Sequence, residues 1–272
     1  MIEAAVLPFD DPAARDVARA GGKGASLAAM TAAGLPVPAG FVVPASVLAG
    51  TVDEAALRRL ARALDHEGAM ELVCRSARVP DAVMDAWRGL GGPVAVRSSA
   101  LAEDSDAASY AGQQETFLEL AAEEEVRRAI VACWASFFSR QALFYRRAMG
   151  SLDDLGMAVV VQRMVPAEKA GVMFTVHPVT RRRDRMLIEA AYGLGEQVVS
   201  GERTPDQYVT DRNGVTKRSA TPLGGVLDPG ELSVIAAYGR RLADAFGGPQ
   251  DVEWAIAGGD VFLLQSRPVT TL

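Results

Sequence analysis

DVEWAIAGGDVFLLQSRP, residues 251–268, is the stretch from which the rest of the chain can be read. Period-2 alternation of apolar and polar residues runs on both sides of the Gly258-Gly259 pair, and alternation flanking such a pair is a strong β-hairpin signal. On the outgoing strand Val252, Trp254 and Ile256 point one way and Asp251 and Glu253 the other; on the return strand strict alternation gives Val261, Leu263, Gln265 and Arg267 a common face. Glu253, Gln265 and Arg267 are therefore expected above one sheet surface. A carboxylate and an amide oxygen suit Mg²⁺, and a guanidinium takes a phosphate through two parallel hydrogen bonds. A surface salt bridge beside a glutamine is the other reading of the same hairpin.

Upstream of the hairpin, Gly21-Gly22-Lys23-Gly24 opens a helical pattern that stops at Gly34, before Pro36, Pro38 and the strand-like GFVVP. Helices are expected over 53–73 and 80–90, a buried strand over 93–99, and a loop over 100–112 rich in Ala, Ser, Asp and Gly. A strand over 113–120 leads to one long or broken helix over 122–148, whose Ile130, Trp134, Phe137, Phe138 and Phe144 form an apolar stripe that reads as core. From residue 157 the pattern turns to strands, with a helix at 229–246 before the hairpin. The boundary between a helix-rich lobe, 1–155, and a strand-rich lobe, 156–272, is drawn at that change.

At 272 residues and 49% apolar the chain can bury an ample core, and two lobes are expected at this size. The net charge of −6 speaks against a nucleic-acid surface, which asks for a basic patch. Its two cysteines, Cys74 and Cys133, lie far apart without CxxC spacing, which fits a reducing cytoplasm better than a disulfide framework or a zinc site. No run of 18 apolar residues and no basic-then-apolar leader occurs, so neither a membrane span nor a signal peptide is expected.

Lys23 in its glycine cluster faces two readings: a cation at a helix N-terminus whose N–H groups and dipole favour an anion, or a solvated lysine on a loop. Arg97 ends an apolar strand and needs a counter-charge, which a phosphate, Glu103 or Asp104 could supply. The following loop suits a lid with Gly112 as its hinge, or an ordinary surface loop. The segment from Gln162 to Pro166 offers backbone groups and the apolar walls of Met164 and Val165 to an adenine edge, or is simply a strand end.

Six segments in order, GGKGASLAAM, VAVRSSALAEDSDAASYAGQQETFLEL, VVVQRMV, GVMFTVHPVT, GLGEQVVSG and DVEWAIAGGDVFLLQSRP, resemble the ATP-binding domain of the phosphoenolpyruvate synthase, pyruvate phosphate dikinase and rifampin phosphotransferase family, a relative of the ATP-grasp proteins. The resemblance implies an α/β (α+β) fold of two ATP-grasp lobes with mixed and antiparallel sheets. It further implies that Lys23 and Arg97 contact the ATP phosphates with Thr116 beside them, and that Gln162, Met164 and Val165 form a hinge against adenine. Glu253 and Gln265 would hold Mg²⁺, and Arg267 would neutralise the transferring group.

Full-length members of the family pass the phosphoryl group to a histidine on a swivelling domain and then to a final substrate. The only histidines here, His66 and His177, lack the Thr-Ser-His context of that carrier, although His177 falls where it could lie near the phosphates. The expected partner is thus a histidine-bearing phosphocarrier domain or protein, with the ultimate small-molecule acceptor unknown. A self-sufficient small-molecule kinase or ATP-grasp ligase is one alternative. A non-catalytic nucleotide-binding module is another, and the joint presence of Lys23, Arg97, Glu253, Gln265 and Arg267 weakens it.

Overall fold

A computed structural model describes residues 4–100, 115–193, 204–211, 214–219 and 225–269, and the chain divides into two compact units. The first comprises Met1–Ala28 and Ala39–Met164, the second Ala29–Pro38 and Val165–Leu272. The expected boundary near 155 differs from this division for a physical reason. Residues 158–163, strand-like in sequence, form the middle strand of the first unit's sheet and are stitched to partners on both sides.

That sheet runs β1 (Leu7–Pro8), β2 (Gly40–Val43), β5 (Ala158–Arg163), β3 (Val94–Ser99) and β4 (Thr116–Leu120) in spatial order. Its pairings are antiparallel throughout. The mixed pairing implied by the resemblance does not occur among the described residues. β2 and β3 do run in the same direction, but β5 inserts between them in the opposite sense and pairs with both.

One face of the sheet is core. Phe41, Val43, Val94, Val96, Val159 and Val161 project from it into a cluster with residues of α3 (Glu54–Ala63), α4 (His66–Ser76), α5 (Asp81–Leu90), α6 (Glu123–Ser136) and α7 (Arg140–Ala148). The helical pattern at 53–73 breaks because Leu64 adopts a left-handed conformation and Asp65 then caps α4 by accepting from the Gly68 N–H. The pattern at 122–148 breaks likewise at Ser139, whose side chain accepts from the Ala142 N–H. This second break resets the helical phase, so Phe144, expected in the apolar stripe, is 50% exposed while Trp134 and Phe138 are fully buried.

The second unit is a six-stranded antiparallel sheet ordered β11 (Asp260–Pro268), β10 (Gln250–Ala257), β6 (Lys169–Phe174), β7 (Met186–Tyr192), β8 (Asp206–Asp211) and β9 (Gly214–Ser219). A long helix, α8 (Pro229–Phe246), starts at a reciprocal cap in which Asp228 accepts from the Glu231 N–H and Glu231 from the Asp228 N–H. Glu231 also pairs with Lys169 of β6 at 2.6 Å, with both side chains largely withdrawn from water, which ties the helix to one face of the sheet. Val252, Trp254 and Ile256 are buried on that face. Among the described residues no helix is long and apolar enough to cross a membrane.

Candidate functional site

Lys23 lies on α1 (Val17–Ala32), which is broken at Gly21 by a φ of 68° and a ψ of 173°. In a regular helix the Gly24 N–H would bond the Ala20 carbonyl four residues back. Here the Ser99 hydroxyl, from the end of β3, stands between them: it donates to Ala20 O at 2.8 Å and accepts from Gly24 N at 3.1 Å. Gly22 N donates to Ala100 O at 2.9 Å. A Cβ on Gly21 would sit 2.1 Å from the Ser99 carbonyl oxygen, so the glycine is there to let strand and helix touch.

The glycine cluster is thus a seam between α1 and β3. Two of its amides, those of Gly22 and Gly24, are taken up by Ala100 and Ser99 at the end of β3, and the Lys23 ammonium supplies the motif's positive charge. That ammonium is held in place: Lys23 is 6% exposed, and its Nζ donates to Ser98 O at 3.2 Å.

Register places three more of the expected residues on a single face. Arg97 stands opposite Thr116 on β4 and Val160 on β5, and Gln162 stands opposite Ala95 and Gly40. Because directly opposed residues share a face and alternate residues return to it, Arg97, Thr116, Val160 and Gln162 all project from the side away from the helical core. Gln162 is buried and Thr116 exposed. The chain then leaves β5 through Met164, whose N–H donates to Pro93 O at 2.9 Å, and Val165; both are half-buried. Gly112, Glu103, Asp104 and the expected lid lie outside the described residues.

In the second unit the hairpin forms where the glycine pair predicts it, turning through Gly258 and Gly259 at φ of 59° and 85°. Its return strand does not alternate strictly. Leu263 opposes Trp254 and Gln265 opposes Glu253, which leaves Leu264 as the extra residue of a β-bulge. The bulge switches faces: Val261 and Leu263 go under the sheet with Trp254 and Ile256, while Gln265 and Arg267 emerge beside Glu253 and Asp251. The expectation that all four return-strand residues share one face is corrected by that single residue, and the meeting of Glu253, Gln265 and Arg267 depends on it.

The same face carries groups that the sequence does not flag. Arg267 directs Nε and a terminal nitrogen to one carboxylate oxygen of Asp251, both at 2.8 Å, so the surface salt bridge of the alternative reading is present. Burial raises the Asp251 carboxyl above its ordinary value; the Arg267 charge and hydrogen bond oppose this, and the negative charges of Glu253 and Glu189 add to it. Glu189 belongs to the same row, Gln265–Glu253–Val172–Glu189–Gln207, and accepts from the Gln207 amide at 2.8 Å. Alternation within β7 could have flagged Glu189 as the polar residue of an apolar strand, but the row is set by register across five strands, which local pattern does not carry.

The comparison that decides the family is a match to the pyruvate phosphate dikinase, AMP/ATP-binding domain, over residues 17–222 and 214–272. The chain belongs to that family. This AMP/ATP-binding domain is 41% identical to a probable phosphoenolpyruvate synthase of Methanothermobacter thermautotrophicus, over 97% of this chain and 46% of the relative. It is 36% identical to a rifampicin phosphotransferase of a Streptomyces species, over 98% of this chain and 36% of the relative. It therefore spans less than half the length of these relatives. Among solved structures, a RimK domain protein ATP-grasp from Sphaerobacter thermophilus is 14% identical over 90% of this chain and 57% of that one, with a TM-score of 0.36.

The donor set of the family domain suits a magnesium nucleotide. Glu253 and Gln265 present a carboxylate and an amide oxygen from directly opposed positions on an open face, and hard oxygen donors are what Mg²⁺ takes. No group of three or more His, Cys, Asp or Glu gathers as a metal cage among the described residues.

Proposed function

We propose that this domain binds ATP with Mg²⁺ and readies a phosphoryl group for transfer to a histidine on a separate swivelling domain or protein. The observation that carries the reading is the bulge at Leu264, which puts Gln265 opposite Glu253 on the open face. Lys23 and Arg97 bring positive charge to the phosphates, and Thr116, opposite Arg97, adds a hydroxyl beside it. Gln162, Met164 and Val165 supply the hinge against adenine. Glu253 and Gln265 hold Mg²⁺, which when bound neutralises phosphate oxygens. Arg267 exchanges Asp251 for a phosphate oxygen as nucleotide arrives. Phosphoryl transfer asks the protein mainly for positioning and charge stabilisation, so this set suffices without a nucleophilic triad.

The acceptor is placed on a partner because neither histidine is set up as a carrier. His66 opens α4 at the surface, and His177 spends Nδ1 on the Thr180 N–H at 3.4 Å. A cytoplasmic home suits an ATP-using domain whose two cysteines are both free thiols. The test is incubation with γ- and β-labelled ATP, with and without a histidine-bearing swivel domain. Acid-labile label on the partner supports the reading. Stoichiometric label on His177 overturns the separate carrier, and rapid partner-free transfer to a small molecule selects the self-sufficient kinase.

A further inference from the structure

We infer that Ser99 is the residue that sets the position of the Lys23 ammonium. The inference rests on the reading of Lys23 as a phosphate ligand and adds to it a residue that touches no substrate. Ser99 is fully buried, and its hydroxyl makes two hydrogen bonds, one to each end of a missing helical bond. A side chain inserted into the i→i−4 ladder opens the helix at that point and fixes the direction of the next turn. Lys23 is the residue immediately before Gly24, whose amide the hydroxyl holds, and its own Nζ reaches the carbonyl of Ser98, the neighbour of Ser99. One strand end thus grips the lysine's backbone through Ser99 and its tip through Ser98. Arg97, the other cation assigned to the phosphates, precedes them on the same strand.

Removing the hydroxyl has a specific consequence. With Ser99→Ala, Gly24 N and Ala20 O lose the group that bridges them, and Gly21, whose φ of 68° and ψ of 173° lie outside the helical range, keeps them from re-forming an ordinary helical bond. The turn bearing Lys23 is then no longer gripped through its backbone, and the fold is expected to survive at reduced stability while the ammonium leaves its place. Ser99 is thereby a positioning residue, and its effect should vanish when the lysine is gone.

The test is a double-mutant cycle: MgATP affinity by calorimetry and thermal stability for the parent, Ser99→Ala, Lys23→Ala and the double variant. The expected result is about a tenfold loss of affinity from Ser99→Ala in the parent and less than about a twofold loss in the Lys23→Ala background, the signature of two residues acting as one. Equal losses in both backgrounds, or parental affinity in Ser99→Ala, overturn the inference while leaving Lys23 as a ligand. Parental affinity in Lys23→Ala defeats the reading of Lys23 as a phosphate ligand and this inference with it. If Ser99→Ala does not fold, Ser99→Cys enters the same cycle; its weaker donor and acceptor predict an intermediate loss, again confined to the lysine-bearing background.

Discussion

Around the end of β3, one serine hydroxyl and the carbonyls of Ser98 and Ala100 answer the polar groups of a broken helix, whereas on the β10–β11 face charged side chains answer one another across strands. The first region is built by close approach, and a glycine without room for a methyl group permits it. The second is built by register, and one extra residue sets it. Close approach tolerates no added atom and depends little on neighbouring strands. Register tolerates changes at the turn but not a change in residue count.

The comparison breaks most sharply at Gly21. Gly21→Ala places a Cβ 2.1 Å from backbone at a positive φ, and chemical denaturation is expected to show a loss of about 3 kcal/mol or more. Retention of parental stability would mean that the seam is soft. Insertion of one alanine between Leu264 and Gln265 comes next. It sets the alanine opposite Glu253 and turns Gln265 and Arg267 toward the apolar face, at a cost of about 2–4 kcal/mol with loss of metal-dependent ATP binding. Unchanged stability and binding after the insertion would show that register is not what assembles this face.

Gly258→Ala sharpens the contrast, because the turn has a φ of 59° but nothing within 4 Å of the added methyl. Conformational strain alone should cost about 1 kcal/mol in the same denaturation assay, well short of the Gly21 value. The smallest effect calibrates both regions against ordinary surface. Glu123 has its carboxyl lowered below the usual value by hydrogen bonds from Arg88 and then Arg127. A depressed folded-state pKa gives stability that is present above the ordinary carboxylate pKa and lost as pH falls through the depressed one. Glu123→Gln should therefore flatten the acid limb of a stability–pH profile slightly and leave neutral pH nearly unchanged.

How far the sequence carries can be seen residue by residue. The hairpin, its glycine turn and the helix at 229–246 are legible, since period and turn chemistry are local signals. The bulge is not, because Leu264 looks like one more apolar residue until β10 fixes what it opposes. Lys23 is found by its glycines, but for a reason the structure replaces: two of the amides serve β3, and the glycine at 21 is required by Ser99. Assignment of 158–163 to the first sheet, and of Glu189 to the open face, depends on pairing between distant segments. The exposure of Phe144 escapes the apolar pattern because a cap at Ser139 resets the helix.

The most direct test of the central claim is calorimetric titration of ATP into the parent and Glu253→Ala proteins, with Mg²⁺ and then with the metal chelated. The account predicts that Mg²⁺ tightens ATP binding to the parent by at least about tenfold, and that Glu253→Ala abolishes that gain while leaving the metal-free affinity unchanged, since one lost carboxylate leaves the metal under-coordinated and the phosphates poorly shielded. An equal Mg²⁺ gain in both proteins would contradict it.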